Sequence, residues 1–353
     1  FLNDLCDVSV YKRWTEYGPN SANQKLVHNF IFNSVFYLKD IFIFGVSATK
    51  SIPTYVKIII DNRVFLFNKI KVIGQGASAV IISIYDTEHM VELAIKIELH
   101  HDIVIEKQIS DKLNISQYDI FLKIKFIKTL FTNNYYFMNI KQGDCIKLKK
   151  KINCKYTKSL SKYFCLLYIN ICEEVRKQYI YLYNIDNNYL YTDYKLENIL
   201  YDCPDKRHTK SFKIYICDLE SAVTINDVYT CSFPPYEYKN CSGYLKLDCS
   251  SSIKNKKKKQ KLCITTKQPL IQVYTVEKQK LSILSWGIGI LLFSFIPDTG
   301  NLLTLLSYNN INTLKNKQYK LIIKKMKSFY SDKYANYLNK NPDLRPNILE
   351  PLI

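Results

Sequence analysis

Tyr191-Thr192-Asp193-Tyr194-Lys195-Leu196-Glu197-Asn198-Ile199-Leu200 is the stretch on which the fold turns. It places an Asp, a Lys and an Asn in one short polar loop. Ahead of it, residues 157–186 carry apolar side chains at helical spacing with Glu and Lys between them, the pattern of a long amphipathic helix. Behind it lie short strand-like pieces at Asn198–Tyr201 and Lys213–Cys217. A chance polar turn between a helix and a strand would look the same in isolation, so the neighbours decide.

Upstream, Gly74-Gln75-Gly76-Ala77-Ser78-Ala79 follows the strand-like Phe67–Ile73. Glycines let a backbone turn tightly and approach phosphate oxygens, although a plain hairpin carries Gly-x-Gly equally well. Leu93-Ala94-Ile95-Lys96-Ile97 is an alternating strand with a single Lys. A lysine in an apolar strand is costly unless it pairs or meets an anion, or snorkels from a sheet edge. Two strands and a turn fit between Gly74 and Lys96, so Lys96 can point at phosphates under the glycine loop. Residues 67–145 read mostly as short β-branched and aromatic runs, with one helix-like segment at Asp102–Leu113. The region is α+β and dominated by strands.

Taken in order, these segments resemble a eukaryotic-type Ser/Thr protein kinase domain. Asp193, Lys195 and Asn198 fill the three offsets of its catalytic loop. Tyr215-Ile216-Cys217-Asp218-Leu219-Glu220 resembles the strand entering the Asp-Phe-Gly motif. Phe233-Pro234-Pro235-Tyr236-Glu237 resembles the end of the activation segment, Trp286-Gly287-Ile288-Gly289 the buried helix of the large lobe, and Leu344-Arg345-Pro346 the late arginine that pairs with the activation-segment glutamate. The resemblance covers residues 67–350 and implies a bilobal α+β fold with a β-rich small lobe at about 67–140 and a helical large lobe at about 141–353. It further implies an insertion at about 238–278, with residues 1–66 packing on the small lobe.

The resemblance also implies the chemistry. Asp193 would accept the proton of a Ser or Thr hydroxyl on a protein substrate, and Lys195 would neutralise charge on the transferring phosphoryl group. Asn198 and Asp218 would hold Mg2+, and Lys96 would meet the phosphates of ATP. ATP would further touch Gly74, Gln75, Gly76, Ala77, Ser78, Ile81 and Ala94. Met138 would stand as gatekeeper, and the backbone of Asn139 and Ile140 would bond the adenine edge. Glu106 would pair with Lys96, and Glu237 with Arg345 in a buried bidentate ion pair. Asp144 and Glu197 stand where some kinases hold an arginine upstream of the target residue.

Departures from the family pattern are Ala79, Tyr191 for His, Thr192 for Arg, Leu219 for Phe, Glu220 for Gly, Leu284 for the Asp before Trp286, and Ser110 for an apolar residue. Glutamate avoids backbone angles that glycine reaches, so Glu220 bears on the flexibility of its turn. The distance from Asp193 to Asp218 exceeds the family norm by several residues, with the excess at Asp202–Lys210. Without an arginine at 192, activity should not depend on activation-loop phosphorylation. The alternative is a pseudokinase that binds nucleotide or scaffolds without catalysis.

The chain of 353 residues is 47% hydrophobic, enough for a large buried core. Its formal net charge of +19 invites a nucleic-acid or anionic-membrane surface. Lys, Asn, Ile and Tyr are frequent together, and we read the charge as compositional bias, with Lys254–Lys261 a solvated loop and nucleic acid not a partner. The apolar run Leu284–Ile296 is shorter than the ~20 residues of a spanning helix and reads as a buried core helix. Eleven cysteines include Cys231, Cys241, Cys249 and Cys263, none in a Cys-x-x-Cys pair, which argues against zinc. The chain begins at Phe1 and is expected to be a piece of a longer protein. The divergent motifs, the N-terminal extension and the Lys/Asn/Ile bias also resemble the exported rhoptry and FIKK kinases of apicomplexan parasites. That second resemblance would bring secretion and paired cysteines with it, whereas a cytoplasmic protein would keep free thiols; the compartment stays open between the two.

Overall fold

The computed structural model describes residues 42–46, 53–60, 63–68, 72–75, 79–86, 90–98, 124–130, 133–139, 143–153, 161–185, 189–202, 213–219, 222–223, 228–230, 232–238, 244–246 and 276–353. The protein is α+β. It divides into two compact units, Phe1–Tyr118 with Leu122–Lys141, and Asp119–Phe121 with Gln142–Ile353.

The first unit is built on strands rich in β-branched and aromatic residues. These are β1 (Phe42–Val46), β2 (Pro53–Ile60), β3 (Arg63–Asn68), β4 (Val72–Gln75), β5 (Ala79–Asp86), β6 (Val91–Glu98), β7 (Ile124–Leu130) and β8 (Asn133–Asn139). They form one antiparallel sheet in the order β1-β2-β3-β5-β6-β8-β7, with β4 paired to β5 beside that path. The strand expected over Phe67–Ile73 is in fact two, because the chain leaves β3 at Asn68 and re-enters at Val72. Register shifts between Val72 and Gly74, an irregularity that glycine tolerates. Neighbouring residues Leu93 and Ala94 of β6 are both buried, so the sheet centre is covered on both faces.

The second unit is mainly helical. After β9 (Gly143–Asp144) come α1 (Cys145–Asn153) and α2 (Ser161–Asn184). Short strands follow: β10 (Leu190–Tyr191), β11 (Ile199–Asp202), β12 (Lys213–Ile216), β13 (Ala222–Val223), β14 (Val228–Thr230) and β15 (Tyr244–Lys246). Then come α3 (Val276–Phe295), α4 (Gly300–Leu303), α5 (Asn316–Phe329) and α6 (Asp332–Ala335). Helix α2 buries Tyr168, Cys172, Val175, Tyr179 and Leu182, a stripe at three- and four-residue spacing. After a charged first turn helix α3 is mainly apolar all round, and every residue from 283 to 296 is buried. Burial of each Leu, Ile or Phe contributes about 1.5–3 kcal/mol, which makes α3 the spine of this unit. Among the described residues no helix is long and apolar enough to cross a membrane.

Two polar devices close the unit. Lys149 Nζ donates to the carbonyls of Ser294 (2.6 Å) and Ile296 (2.9 Å) at the C-terminal end of α3. Burial lowers the Lys149 pKa, with Asp298 opposing. Near the middle of α2, Arg176 binds Glu173 through Nε (2.8 Å) and Nη2 (2.7 Å), and its Nη1 reaches the Ile348 carbonyl. Glu173 also accepts from the Leu352 amide at 2.9 Å, which ties the C-terminal residues to α2. Burial pushes the Glu173 pKa up, but the bonds from Arg176 and Leu352 outweigh it, and the net shift is downward.

Candidate active site

The site in the second unit is assembled from two adjacent turns. The first leaves β10 and runs through Thr192–Lys195 into a single 3-10 turn at Leu196–Asn198 before β11. Backbone bonds hold it tightly: Lys195 N to Asp193 O (3.0 Å) and Asn198 N to Lys195 O (3.1 Å). The second turn follows β12, and Cys217 N donates to Asn198 O at 2.9 Å, joining the two. Strands β11 and β12 pair from Ile199↔Ile216 to Asp202↔Lys213. The extra residues read from the sequence therefore enter at the far end of this ladder, away from Asn198 and Asp218.

The Asp193 side chain is the hub. Asn198 Nδ2 donates to its Oδ2 at 2.7 Å, and Lys195 forms an ion pair with the same oxygen. Ser232 Oγ donates to Oδ1 at 2.5 Å. Asp193, Asn198 and Thr192 are all buried. Burial lowers the Lys195 pKa, but the Asp193 hydrogen bond and the charges of Asp193, Asp218 and Glu197 outweigh it, and the net shift is upward. Lys195 is accordingly a fixed cation beside a fixed carboxylate. With its amide nitrogen committed to Asp193, Asn198 has its amide oxygen available to a cation.

Asp218 has φ of 63°, left-handed backbone that few non-glycine residues adopt and that Asp tolerates better than most. Such conformations cost on the order of 1–3 kcal/mol and persist where the surroundings over-determine them. Those surroundings are visible here. Tyr191 OH donates to the Cys217 carbonyl at 2.7 Å. Gln178, buried on α2, donates to Ile214 O and accepts from Ile216 N, both at 2.8 Å, and so pins β12 to the helix.

Beneath the loop lies an aromatic floor. Tyr179 stacks on Tyr191 with centroids 5.3 Å apart and meets Tyr194 edge-on at 5.9 Å. Tyr194 lies against α3 where Gly287 leaves room, since a Cβ there would run into the ring. Trp286 Nε1 donates to Phe233 O at 3.0 Å, and Tyr308 N to Ser232 O at 3.0 Å, which fixes the segment that carries Ser232.

The expected Glu237–Arg345 pair is present and bidentate, with Arg345 Nη1 to Glu237 Oε1 at 2.8 Å and Nη2 on Oε2. The guanidinium is buried and lies 4.8 Å over the Trp286 ring, whereas the glutamate, expected to be buried as well, is partly exposed because it sits in a surface 3-10 turn. Asp144 is used locally: its Oδ1 accepts the Lys147 amide at 2.7 Å at the start of α1, and its Oδ2 lies 3.5 Å from Lys147 Nζ.

The first unit holds the other expected residues. Register pairs Ile81 with Lys96 and with Gly74, and Ala94 with Met138. Directly paired residues share a face, so Ile81, Ala94 and Lys96 occupy one face of the sheet. Lys96 and Ala94 are buried. Gln75 ends β4 and Asn139 ends β8. Gly76, Ala77, Ser78, Glu106, Ser110, Ile140, Glu220, the Lys254–Lys261 run and Cys231, Cys241, Cys249 and Cys263 lie outside the described residues.

Thus Asp193, Lys195, Asn198 and Asp218 share one pair of turns, while of the expected ATP contacts in the first unit Ile81, Ala94 and Lys96 share one sheet face. Ser232 and Gln178 escaped the sequence reading, since nothing in either segment marks a partner so distant in the chain. Among the described residues no group of three or more His, Cys, Asp or Glu is assembled for a metal ion. Magnesium needs no such group, because it keeps several waters and takes one or two carboxylates with substrate phosphates. No protein-family model matches this chain, and no curated protein matches it either.

Proposed function

We propose that this protein is a Ser/Thr protein kinase of bilobal kinase fold, transferring the γ-phosphoryl group of ATP-Mg to a protein hydroxyl. The observation that carries the proposal is the Asp193 carboxylate, held at Oδ2 by Asn198 and Lys195 and met at Oδ1 by a serine hydroxyl. A carboxylate so oriented is suited to accept a hydroxyl proton, and Ser232 already presents a hydroxyl to it in that geometry. Lys195, kept protonated by its neighbours, neutralises charge building on the phosphoryl oxygens. The free amide oxygen of Asn198 and the carboxylate of Asp218 are the residues that would hold Mg2+. The ion, when bound, neutralises and orients the β- and γ-phosphates.

In the first unit, Lys96 is assigned to the phosphates. Ile81 and Ala94 on the same sheet face are assigned to the nucleotide, as is Met138, with the glycine segment 74–78 over the phosphates and the backbone of 139 and 140 on the adenine. Glu106 is assigned to Lys96. The buried Thr192 offers no cation to an activation-loop phosphate, which supports activity independent of that modification.

The test is transfer of radiolabelled γ-phosphate to a protein substrate or to the chain itself, comparing wild type with Asp193→Asn. Loss of proton acceptance should lower turnover on the order of 10³-fold. Equal signal from both proteins would discard the enzyme reading and leave a pseudokinase.

A further inference from the structure

Helix α5 carries a feature that the proposed phosphoryl transfer does not use. It buries Ile322 and Met326 completely, so one face belongs to the core. Lys317, Lys320, Lys324 and Lys327 are exposed. At about 100° per residue, these four fall within an arc of about 80° on the side opposite Ile322 and Met326. They form a row about 15 Å long. Lys315, just before the helix, is exposed as well.

Lysines three and four residues apart repel one another and weaken a helix unless an anion sits among them. Only Lys327 has a carboxylate partner, Asp332 at 3.0 Å, and that carboxylate is itself exposed. Among the described residues no acid pairs with Lys317, Lys320 or Lys324. The row is a like-charge face held together by the burial of the opposite side, and among the described residues Asp332 is the one carboxylate set against it.

We propose that this row docks the protein on an anionic lipid bilayer. Several observations select that occupant. The face is all lysine, hydrated point charges suited to a diffuse layer of headgroups, with none of the planar forks by which arginine grips individual partners. Protein–protein interfaces are depleted in lysine. No aromatic side chain is interleaved with the row to stack on nucleic-acid bases. The apolar face of α5 is spent in the core, so the helix would lie against headgroups without inserting. Leu321, 44% exposed, borders the row at the boundary such a surface would meet.

The experiment is co-sedimentation of the full chain with vesicles of phosphatidylcholine alone and of phosphatidylcholine mixed with phosphatidylserine, at low and raised salt. Binding is expected only to the mixed vesicles and should weaken with salt. A variant with Lys317, Lys320, Lys324 and Lys327 each changed to Gln should lose about a hundredfold in partitioning while its circular dichroism stays unchanged. The control changes Lys256, Lys257, Lys258 and Lys259 to Gln, removing the same charge from another segment, and should bind within about threefold of wild type. An equal loss in both variants would assign the effect to bulk charge and overturn the proposal. So would unaltered binding by the α5 variant, or row-dependent binding to duplex DNA without binding to vesicles.

Discussion

Asp193 is positioned through its side chain, by donors from Asn198, Lys195 and Ser232, whereas Asp218 is positioned through the backbone around it. Tyr191 holds the carbonyl before Asp218, Cys217 N is tied to Asn198 O, and Gln178 fastens the strand that delivers it. A carboxylate gripped by side chains is aimed, and its reactivity can be altered one donor at a time. A carboxylate carried on a constrained left-handed backbone is placed, and its position also depends on the groups that hold the chain leading into it. The first arrangement suits a group that handles a proton, the second a group that holds a cation.

The sharpest break between the two turns is expected in ligand binding. Asp193→Asn should keep the rise in melting temperature that ATP with magnesium produces, while Asp218→Asn should lose that rise together with turnover. If both variants kept the full rise, Asp218 would not be a metal ligand.

Next in size, Ser232→Ala should lower kcat about tenfold and leave KM for ATP unchanged, because it frees Oδ1 of Asp193 to rotate. Ser232→Thr should restore the rate, since it keeps the hydroxyl. Failure of Thr to rescue would mean that Ser232 packs there without orienting the carboxylate.

Smaller still, Tyr191→Phe removes the bond to the Cys217 carbonyl and should cost about 1 kcal/mol in urea unfolding. If backbone placement is what sets Asp218, KM for ATP-Mg should rise about threefold with kcat little changed. A fall in kcat alone would assign Tyr191 to the Asp193 turn.

The mildest effect concerns the helix beneath both turns. The folded pKa of Glu173 lies below its ordinary 4.5, so it stabilises the native state above that pH. That contribution is lost as pH falls through the lower folded value. A melting series should drop more steeply below pH 4.5 in wild type than in Glu173→Gln, which has already lost the charge. Parallel curves would show that the contact with Arg176 and Leu352 carries no proton linkage.

Much of the second turn pair was legible before any coordinates. Asp193, Lys195, Asn198 and Asp218 declare themselves because their chemistry is compressed into two short segments with a helix before and strands around them. The Glu237–Arg345 bond was legible only through resemblance, since it joins residues 108 apart. Ser232 was not legible. It reaches Asp193 across 39 residues, and a serine beside Phe-Pro-Pro carries no mark of its partner. The α5 face was hidden for a different reason. Lys254–Lys261 stood out as the one concentration of charge because the eye follows sequence neighbours, but helical period collects lysines that Gln, Tyr, Leu and Ile separate along the chain. In the first unit, the β-branched run of β2 pairs with β1 and β3. Its partners could not be named, because strand pairing is decided by register and not by composition.

The absence of a side chain at residue 287 reaches further than packing. Tyr194 rests in that notch of α3, and the adjoining positions, Trp286 and Ile288, carry large buried side chains that would refuse a ring. The loop is thereby keyed to a single seat on the deeply buried helix α3 and cannot slide along it. Lengthening the chain between β11 and β12, or after Glu237, leaves that seat untouched. Asp193 thus inherits its coordinates from α3, and the surrounding loops are free to drift over evolutionary time without carrying the carboxylate with them.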